Sequence, residues 1–149
     1  MKFRKAIGAI ILNSKNQIIV FQRRDYPDSW QGPEGGIDGE ETTIDALYRE
    51  LYEEVGLKKE DFDIIATREE PFRYFFNEEA KNKFGIDGQE KYFFVIRLKD
   101  DNFKFKFDNK KDEIEFLNYR ILENNKDIFD IVPLFKKDIY KEIIKYFKL

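Results

Sequence analysis

The sequence predicts an α/β (α+β) fold, in which strands form a sheet and helices pack against it. Short β-rich runs bounded by turn residues occur in both halves of the chain. Residues 43–55 and 134–147 instead repeat their apolar side chains every three or four positions, which is typical of amphipathic helices. A length of 149 residues fits one domain with a substantial core, so we expect a single domain over residues 1–149.

The first part of the chain is expected to form a β-hairpin and then a long loop. Residues 6–12 are predicted to be a buried strand, residues 13–16 its turn and residues 17–22 its partner strand. Residues 23–37 contain two prolines and Gly32, and we predict a loop there. The helix over residues 43–55 follows, and Gly56 is expected to end it in the left-handed conformation.

The later elements are less regular. Three strands are predicted, at residues 62–68, 91–98 and 115–121, with a turn at residues 85–88 before the second of them. Two segments stay open: residues 70–82 fit either strand or helix, and residues 102–107 fit either a strand or an extended arm with one apolar face. The closing helix, residues 134–147, is expected to direct four side chains inward: Leu134, Ile139, Ile143 and Phe147.

Composition excludes several classes of chemistry. The sequence contains no Cys and no His, so disulfides, thiol catalysis, imidazole bases and histidine–metal sites are excluded. A net charge of −3 argues against a broad electrostatic grip on nucleic acid, and no DNA partner is expected. The first apolar run is short and strand-like, so neither a signal peptide nor a membrane span is predicted, and we expect a cytoplasmic protein.

Three glutamates on the first helix predict a metal site. Glu50, Glu53 and Glu54 stand at i, i+3 and i+4, which brings their carboxylates close together on the helix surface. Carboxylate oxygens are ligands that Mg²⁺ prefers, and a cation would relieve the repulsion among them. Arg49 can reach Glu53 at i+4 and hold it in place. The alternative, a solvated acidic face, is common for a glutamate-rich helix considered alone.

The spacing of the residues around these glutamates decides between the two interpretations. Residues 35–57 place Gly35 six positions before Glu41 and then run Arg-Glu-x-x-Glu-Glu-x-Gly from Arg49 to Gly56. This pattern resembles the sequence motif of the Nudix hydrolases, and it fills every fixed position of that motif. The resemblance implies a Nudix fold, a mixed β-sheet sandwiched between helices. It also implies hydrolysis of a phosphoanhydride bond with two or three Mg²⁺ or Mn²⁺ ions.

The same resemblance implies roles for individual residues. Metal ions would be held by Glu50, Glu53, Glu54 and the Glu34 carbonyl, with Glu113 as a further metal-linked or basic glutamate. Because the sequence has no His, any general base must be a carboxylate, and Glu53 and Glu113 are the two possibilities. Glu41 would orient the loop or a metal-bound water.

Four further segments resemble the bacterial RNA 5′-pyrophosphohydrolases and the related dinucleoside polyphosphate hydrolases. These are residues 3–4, 22–36, 88–93 and 135–140. The resemblance implies binding of a nucleotide or an RNA 5′-polyphosphate through seven residues: Arg4, Arg24, Ser29, Gln31, Tyr74, Gln89 and Lys91. Simpler interpretations stay open for three of them: a surface ion pair for Arg24, core packing for Tyr74 and an edge-strand charge for Lys91.

The chain departs from this subfamily at two positions, and other functions stay open. Gly32 stands where a Phe is usual and is expected to loosen the loop, whereas Glu34 replaces a Gln and adds negative charge to an acidic site. One alternative function is a house-cleaning hydrolase of small nucleotides such as a dNTP or a nucleoside-diphosphate sugar. Another is a catalytically silent module that binds nucleotide or RNA. The sequence leaves the oligomeric state open.

Overall fold

The structure is a computed structural model that describes residues 1–110 and 113–149. Its strands in chain order are β1 (Phe3–Leu12), β2 (Ile18–Arg23), β3 (Trp30–Gln31), β4 (Glu34–Gly36), β5 (Phe62–Thr67), β6 (Phe72–Phe75), β7 (Gly88–Leu98) and β8 (Phe116–Ile121). Its α-helices are α1 (Thr43–Val55), α2 (Glu78–Phe84), α3 (Ile128–Ile131) and α4 (Lys137–Phe147).

The strands form one mixed sheet built around a parallel pair. β1 and β7 run side by side in parallel, with Phe3 opposite Gly88 and Leu12 opposite Arg97. The remaining pairings in the described chain are antiparallel, and both central strands change their other partner part-way along. β1 pairs first with β4 and then with β2, while β7 pairs first with β6 and then with β5. The sheet therefore opens at the end where β4 and β6 lie.

Helices cover both faces of the sheet, because both faces of its central strands are apolar. Ile7, Ala9 and Ile11 of β1 pack on one face with the buried stripe of α1. Ile10 and Leu12 pack on the other face with α4. A strand that is buried on both sides reads as a continuous apolar run, which explains residues 6–12. The predicted mixed sheet between helices is confirmed.

Both ends of α1 are fixed by specific contacts. The Thr42 side chain accepts a hydrogen bond from the Asp45 N–H at 3.1 Å, which caps the first turn. Gly56 has φ of 80° and its N–H donates to the Tyr52 carbonyl, so the predicted left-handed helix end is confirmed. α1 therefore begins and ends at defined residues, which fixes the position of every side chain that it contributes to the site.

The loop predicted over residues 23–37 needs correction, and the structure assigns the two segments that the sequence left open. The segment 23–37 is not all loop, because β3 and β4 pair there with β2 and β1. Residues 70–82 divide into strand β6 and the start of α2. Residues 102–107 form an extended arm without strand pairing, and three phenylalanines of this arm pack against the core.

The closing helix starts later than predicted. α4 begins at Lys137, and the residues before it, Leu134–Lys136, form a 3-10 turn. Leu134 is therefore 85% exposed instead of pointing inward, whereas Ile139 and Ile143 are buried as expected. Among the described residues, no helix combines the length and the apolar character that a membrane crossing requires.

Candidate active site

A polar cleft of about 460 Å³ lies where the sheet opens, between α1, β4 and the first halves of β1 and β7. Cavities of this size accommodate small ligands such as nucleotides. Its lining divides by charge into two walls. The acidic wall comes mainly from α1, with Glu50 and Glu54, and from Glu115 just before β8. The basic wall comes from Arg4, Arg23, Lys91 and Lys136.

The acidic wall contains two neighbouring buried carboxylates, those of Glu50 and Glu54. Glu50 and Glu54 are 8% and 7% exposed. Gly35 of β4 makes room for Glu50, because a Cβ at that position would lie 2.1 Å from the Glu50 carboxyl carbon. Burial raises the pKa of Glu54 well above its ordinary value, and the neighbouring Glu50 raises it further. In the described part of the chain, Glu54 Oε2 has no hydrogen-bond partner.

Arg49 holds three carboxylates in and beside this wall in place. Its guanidinium donates to Glu41 through Nε at 2.8 Å and Nη2 at 2.9 Å, to Glu50 at 2.7 Å and to Glu53 at 3.4 Å. These contacts raise the pKa of Arg49 and, chiefly through the hydrogen bond from Arg49, lower that of Glu41 to about 2. Glu41 also accepts the Asp38 N–H at 2.8 Å, so it orients the loop before α1.

Of the glutamates predicted to bind metal through their side chains, only some line the cleft. Glu50 and Glu54 line the cleft, while Glu53 lies at its border, held by Arg49 and by Lys110 at 3.7 Å. Glu113 does not line the cleft: its side chain is 62% exposed and pairs at 2.9 Å with Lys110, which is a lining residue, so its metal-linked or basic role stays a prediction. Glu115 lines the cleft. Across residues 1–110 and 113–149, no three carboxylates form a ready-made metal cluster.

The backbone of β4 directs the Glu34 carbonyl toward α1. The Ala9 N–H donates to the Pro33 carbonyl at 2.9 Å, and hydrogen-bonded positions alternate along an antiparallel pair. The carbonyls of Glu34 and Gly36 therefore point away from β1. The Gly36 carbonyl points toward α1, because it accepts a hydrogen bond from Nη2 of Arg49 on that helix at 2.9 Å. This orientation agrees with the role predicted for the Glu34 carbonyl as a metal ligand, which stays a prediction.

The basic wall is organised around the Glu34 side chain. Its carboxylate accepts hydrogen bonds from the Lys91 ammonium, from Lys136 Nζ at 3.1 Å and from the Tyr140 hydroxyl at 2.7 Å. Burial alone would raise the pKa of Glu34, but the charges of Lys136 and Lys91 outweigh it and lower the pKa to about 2. Burial in turn lowers the pKa of Lys136 to about 8 and raises that of Tyr140.

Gly32 does not loosen the loop as predicted. Its N–H donates to the Tyr140 hydroxyl at 3.1 Å, and a Cβ there would lie 2.1 Å from the Ala9 carbonyl oxygen. Gly32 is instead required for the close approach of this segment to β1 and α4.

Of the two adjacent arginines Arg23 and Arg24, Arg23 lines the cleft. Arg23 lies in the lining and contacts Gln31 at 3.4 Å and Asp25 at 2.7 Å. Arg24, the residue that follows β2, is exposed and does not line the cleft. Ser29 does not line the cleft either; its carbonyl accepts the Arg23 N–H and closes the loop after β2.

The other predicted substrate-binding residues do meet in the cleft. They are Arg4, Gln31, Tyr74, Gln89 and Lys91. Tyr74 stands at the mouth beside Phe135, with ring centroids 6.2 Å apart, and the Lys91 ammonium lies 5.0 Å from the Tyr74 ring. Burial, together with the charge of Glu34, raises the pKa of Tyr74 to about 12. Tyr74 therefore stays protonated at neutral pH.

Sequence reasoning assigned no site role to Arg23, Glu115, Lys136 or Tyr140. A signal existed for the last two, because residues 135–140 carry the subfamily resemblance. Arg23 is adjacent to Arg24 and Glu115 is two residues from Glu113, so the sequence offers two residues of the same type at each place and only the three-dimensional structure distinguishes between them.

Comparison with known proteins agrees with this geometry. The NUDIX domain family matches residues 2–135. The chain belongs to the Nudix family. An RNA pyrophosphohydrolase of a Nitratiruptor species is 40% identical to it, over 99% of this chain and 94% of that protein. An RNA pyrophosphohydrolase of Helicobacter pylori is 38% identical over the same shares of the two chains. The predicted resemblance to this Nudix subfamily is confirmed.

Solved Nudix structures share the fold at low sequence identity. The dihydroneopterin triphosphate pyrophosphohydrolase of E. coli superposes with a TM-score of 0.73 at 19% identity, over 98% of this chain and 99% of that one. An Ap4A hydrolase from C. elegans gives a TM-score of 0.69 at 16% identity, over 97% and 98%. At these identities the comparison supports the fold and carries nothing about substrate.

Proposed function

We propose that this chain, acting as one Nudix domain over residues 1–149, is a metal-dependent pyrophosphohydrolase of RNA 5′-polyphosphate ends. One observation carries the proposal: a basic wall and an acidic wall face each other across a cleft with aromatic rings at its mouth. A polyphosphate with a base attached matches such a site. The relatives that are 40% and 38% identical are named RNA pyrophosphohydrolases, which supports the choice of RNA.

The acidic wall fits a divalent cation. Glu54 Oε2 lacks a hydrogen-bond partner among the described residues, and hard oxygen ligands of this kind suit Mg²⁺ or Mn²⁺. Glu50, Glu54, Glu53 and the Glu34 carbonyl would hold the metal, with Glu115 replacing Glu113 beside them. Nudix pyrophosphohydrolases generally need a divalent metal. When bound, such ions neutralise phosphate charge and lower the pKa of a coordinated water.

The chain's own residues do the remaining work. Arg23, Lys91 and Lys136 bind phosphate oxygens outside the reacting centre, and Tyr74 and Phe135 stack on a base. Arg49 keeps Glu50 and Glu53 in fixed positions, so they do not reorganise when substrate binds. Glu53, at the border of the cleft, is the carboxylate that takes a proton from the attacking water.

A substrate panel tests this proposal. Purified protein is incubated with 5′-triphosphate RNA, diadenosine tetraphosphate, ADP-ribose and a dNTP, each with Mg²⁺ and with Mn²⁺, and products are separated by chromatography. We expect kcat/KM to be greatest for the RNA, with loss of nearly all activity in Glu53→Gln. A clear preference for ADP-ribose or a dNTP would overturn the RNA assignment. A preference for diadenosine tetraphosphate would assign the same cleft to dinucleoside polyphosphates.

A further inference from the structure

A row of four aromatic rings leads out of the cleft along the surface. From the cleft outward they are Phe135, Tyr74, Phe76 and Phe84, which we name the aromatic row. Neighbouring centroids are 6.2, 5.7 and 5.6 Å apart. The inner pair lies at the cleft mouth, whereas Phe76 and Phe84 lie outside the cleft lining. Phe84, at the outer end, is 59% exposed, as is Phe135.

The fold holds the outer part of the row in place. Phe76 directly follows β6, and its N–H donates to the Asp87 carbonyl at 2.8 Å. α2 is capped at Asn77, whose side chain accepts the Ala80 N–H, and it ends at Gly85 with φ of 70°. Phe84 is the last residue of this short helix, so the turn at Gly85 fixes where its ring lies.

Positive charge accompanies the rings. Lys136 Nζ lies 5.7 Å from the Phe135 ring, Lys91 Nζ 5.0 Å from Tyr74, and Lys83 Nζ 5.3 Å from Phe84. α2 also carries two glutamates: Glu78 forms an ion pair with Lys81 at 3.6 Å, and Glu79 forms no ion pair within 4.0 Å in the described chain, so neither holds the Lys83 ammonium. Rings alternating with cations suit a strand of stacked bases joined by phosphates better than an apolar peptide.

We propose that Phe76, Phe84 and Lys83 extend the site along single-stranded RNA and bind the nucleotides that follow the 5′ end. This inference rests on the proposed function, because it gives the RNA substrate a path away from the cleft. A nucleotide or dinucleotide substrate reaches only Tyr74 and Phe135, whereas an RNA of several nucleotides reaches Phe84 as well. The protein should therefore discriminate by RNA length.

The test compares kinetics on short and long substrates. KM and kcat are measured for 5′-triphosphate RNAs of about two and about eight nucleotides, and for diadenosine tetraphosphate. One stacked base is worth about 1–3 kcal/mol, so Phe84→Ala should raise KM for the long RNA by about 5- to 150-fold. It should leave kcat and both short substrates unchanged, because Phe84 binds away from the reacting centre.

Phe75→Ala is the matched control. Phe75 is also 59% exposed but points to the opposite face of β6, where it packs on Phe3 with centroids 5.5 Å apart. Its loss should leave every substrate unaffected. Lys83→Gln should raise KM for the long RNA and make that KM less sensitive to salt.

The outcomes separate this inference from the proposed function. If the wild type hydrolyses both RNAs but Phe84→Ala has no effect on the long one, the extended site is wrong and the RNA activity stands. If Phe84→Ala weakens every substrate equally, Phe84 supports the fold and the inference is also overturned. If the wild type hydrolyses neither RNA, the proposed function itself fails and the extended site fails with it.

Discussion

Two buried glutamates, Glu34 and Glu54, face the same cleft from opposite walls in opposite surroundings. Two lysines and a tyrosine donate to the Glu34 carboxylate, and the pKa of Glu34 falls to about 2. In the described chain, Glu54 Oε2 has no donor at all, and burial beside Glu50 raises the pKa of Glu54. Burial alone therefore does not set the charge of a carboxylate. The neighbouring cations do, and under the proposed function the cation at Glu54 would be a metal ion from solution.

The two walls also differ in the source of the positive charge that balances their carboxylates. The counter-charges of Glu34 are side chains of the protein itself, Lys91 and Lys136, so they do not exchange with ions in solution. Under the proposed function the acidic wall would take its counter-charge from an added divalent cation, and only this wall would then respond to metal. Substitutions at the two glutamates should therefore affect different properties of the enzyme.

The largest expected effect comes from Glu54→Gln. Loss of this carboxylate should lower the rate of hydrolysis at least about 100-fold, since even residues that merely support a metal ligand are worth about 10- to 100-fold. The melting temperature without metal should not fall, because the amide removes repulsion with Glu50. Hydrolysis rates and thermal melts measure both, with Glu40→Gln as the exposed control. Wild-type rates in Glu54→Gln would show that the acidic wall is not the metal site.

Divalent metal should stabilise the protein through the acidic wall alone. At about 100 times its dissociation constant a bound ion contributes about 2.7 kcal/mol, which is roughly 5–10 °C in melting temperature for a chain of this size. A melting series with Mg²⁺ or Mn²⁺ measures the shift. The shift should be lost in Glu54→Gln and retained in Glu34→Gln. An unchanged melting temperature across a millimolar titration would contradict the comparison.

Arg23→Ala tests the basic wall without touching either glutamate. A hydrogen bond to a charged group is worth about 1.5–3 kcal/mol, so KM for polyphosphate substrates should rise about 10- to 100-fold while kcat changes little. Arg24→Ala is the matched control, because Arg24 is adjacent but exposed outside the cleft. Steady-state kinetics on both variants measure the difference. A larger effect from Arg24→Ala would restore the assignment made from sequence.

The smallest expected effect is a change in pH dependence. Protonated Lys136 is the form that binds phosphate, and it is lost as pH rises through its pKa of about 8, so KM should increase by at most about tenfold from about pH 7 to about pH 9. The Glu34 charge raises the pKa of Lys136, so Glu34→Gln should move this increase to lower pH.

Lys136→Arg serves as the control for this experiment. A guanidinium stays protonated throughout the range, so the increase in KM should disappear. The measurement is KM across the pH series for the wild type and both variants. A flat profile in the wild type would show that Lys136 does not bind substrate.

The fold was predictable wherever the signal was local. The α1 helix, the first hairpin and the central strand β7 follow from the spacing of apolar side chains. β3 and β4 have only two and three residues, and pairing with β2 and β1 creates them, so no pattern within residues 23–37 reveals them. Leu134 fits the helical spacing, but the chain turns before α4 and exposes it.

The two walls of the site differ in the same way: the acidic wall has a local sequence signal and the basic wall does not. Most of the acidic wall comes from one helix, where three- and four-residue steps place the glutamates together. In the basic wall, Lys91 and Lys136 contact Glu34 although they lie 57 and 102 positions from it in the sequence. Such distances depend on the sheet topology, so sequence could suggest Lys91 only through family resemblance. From sequence, Glu34 was expected to add negative charge to the site. In the structure, Lys91 and Lys136 neutralise that charge.

The parallel pairing of β1 with β7 has a consequence for how the chain emerges during synthesis. Phe3 pairs with Gly88 and Leu12 with Arg97, so a ribosome completes β1 long before its central neighbour exists. In that interval β2, β4 and α1 are available to cover β1, but the edge that pairs with β7 and the apolar face that packs on α4 have no cover. Unpaired apolar strands of this kind promote aggregation. We therefore expect nascent chains that stop before β7 to be the form of this protein most dependent on chaperones.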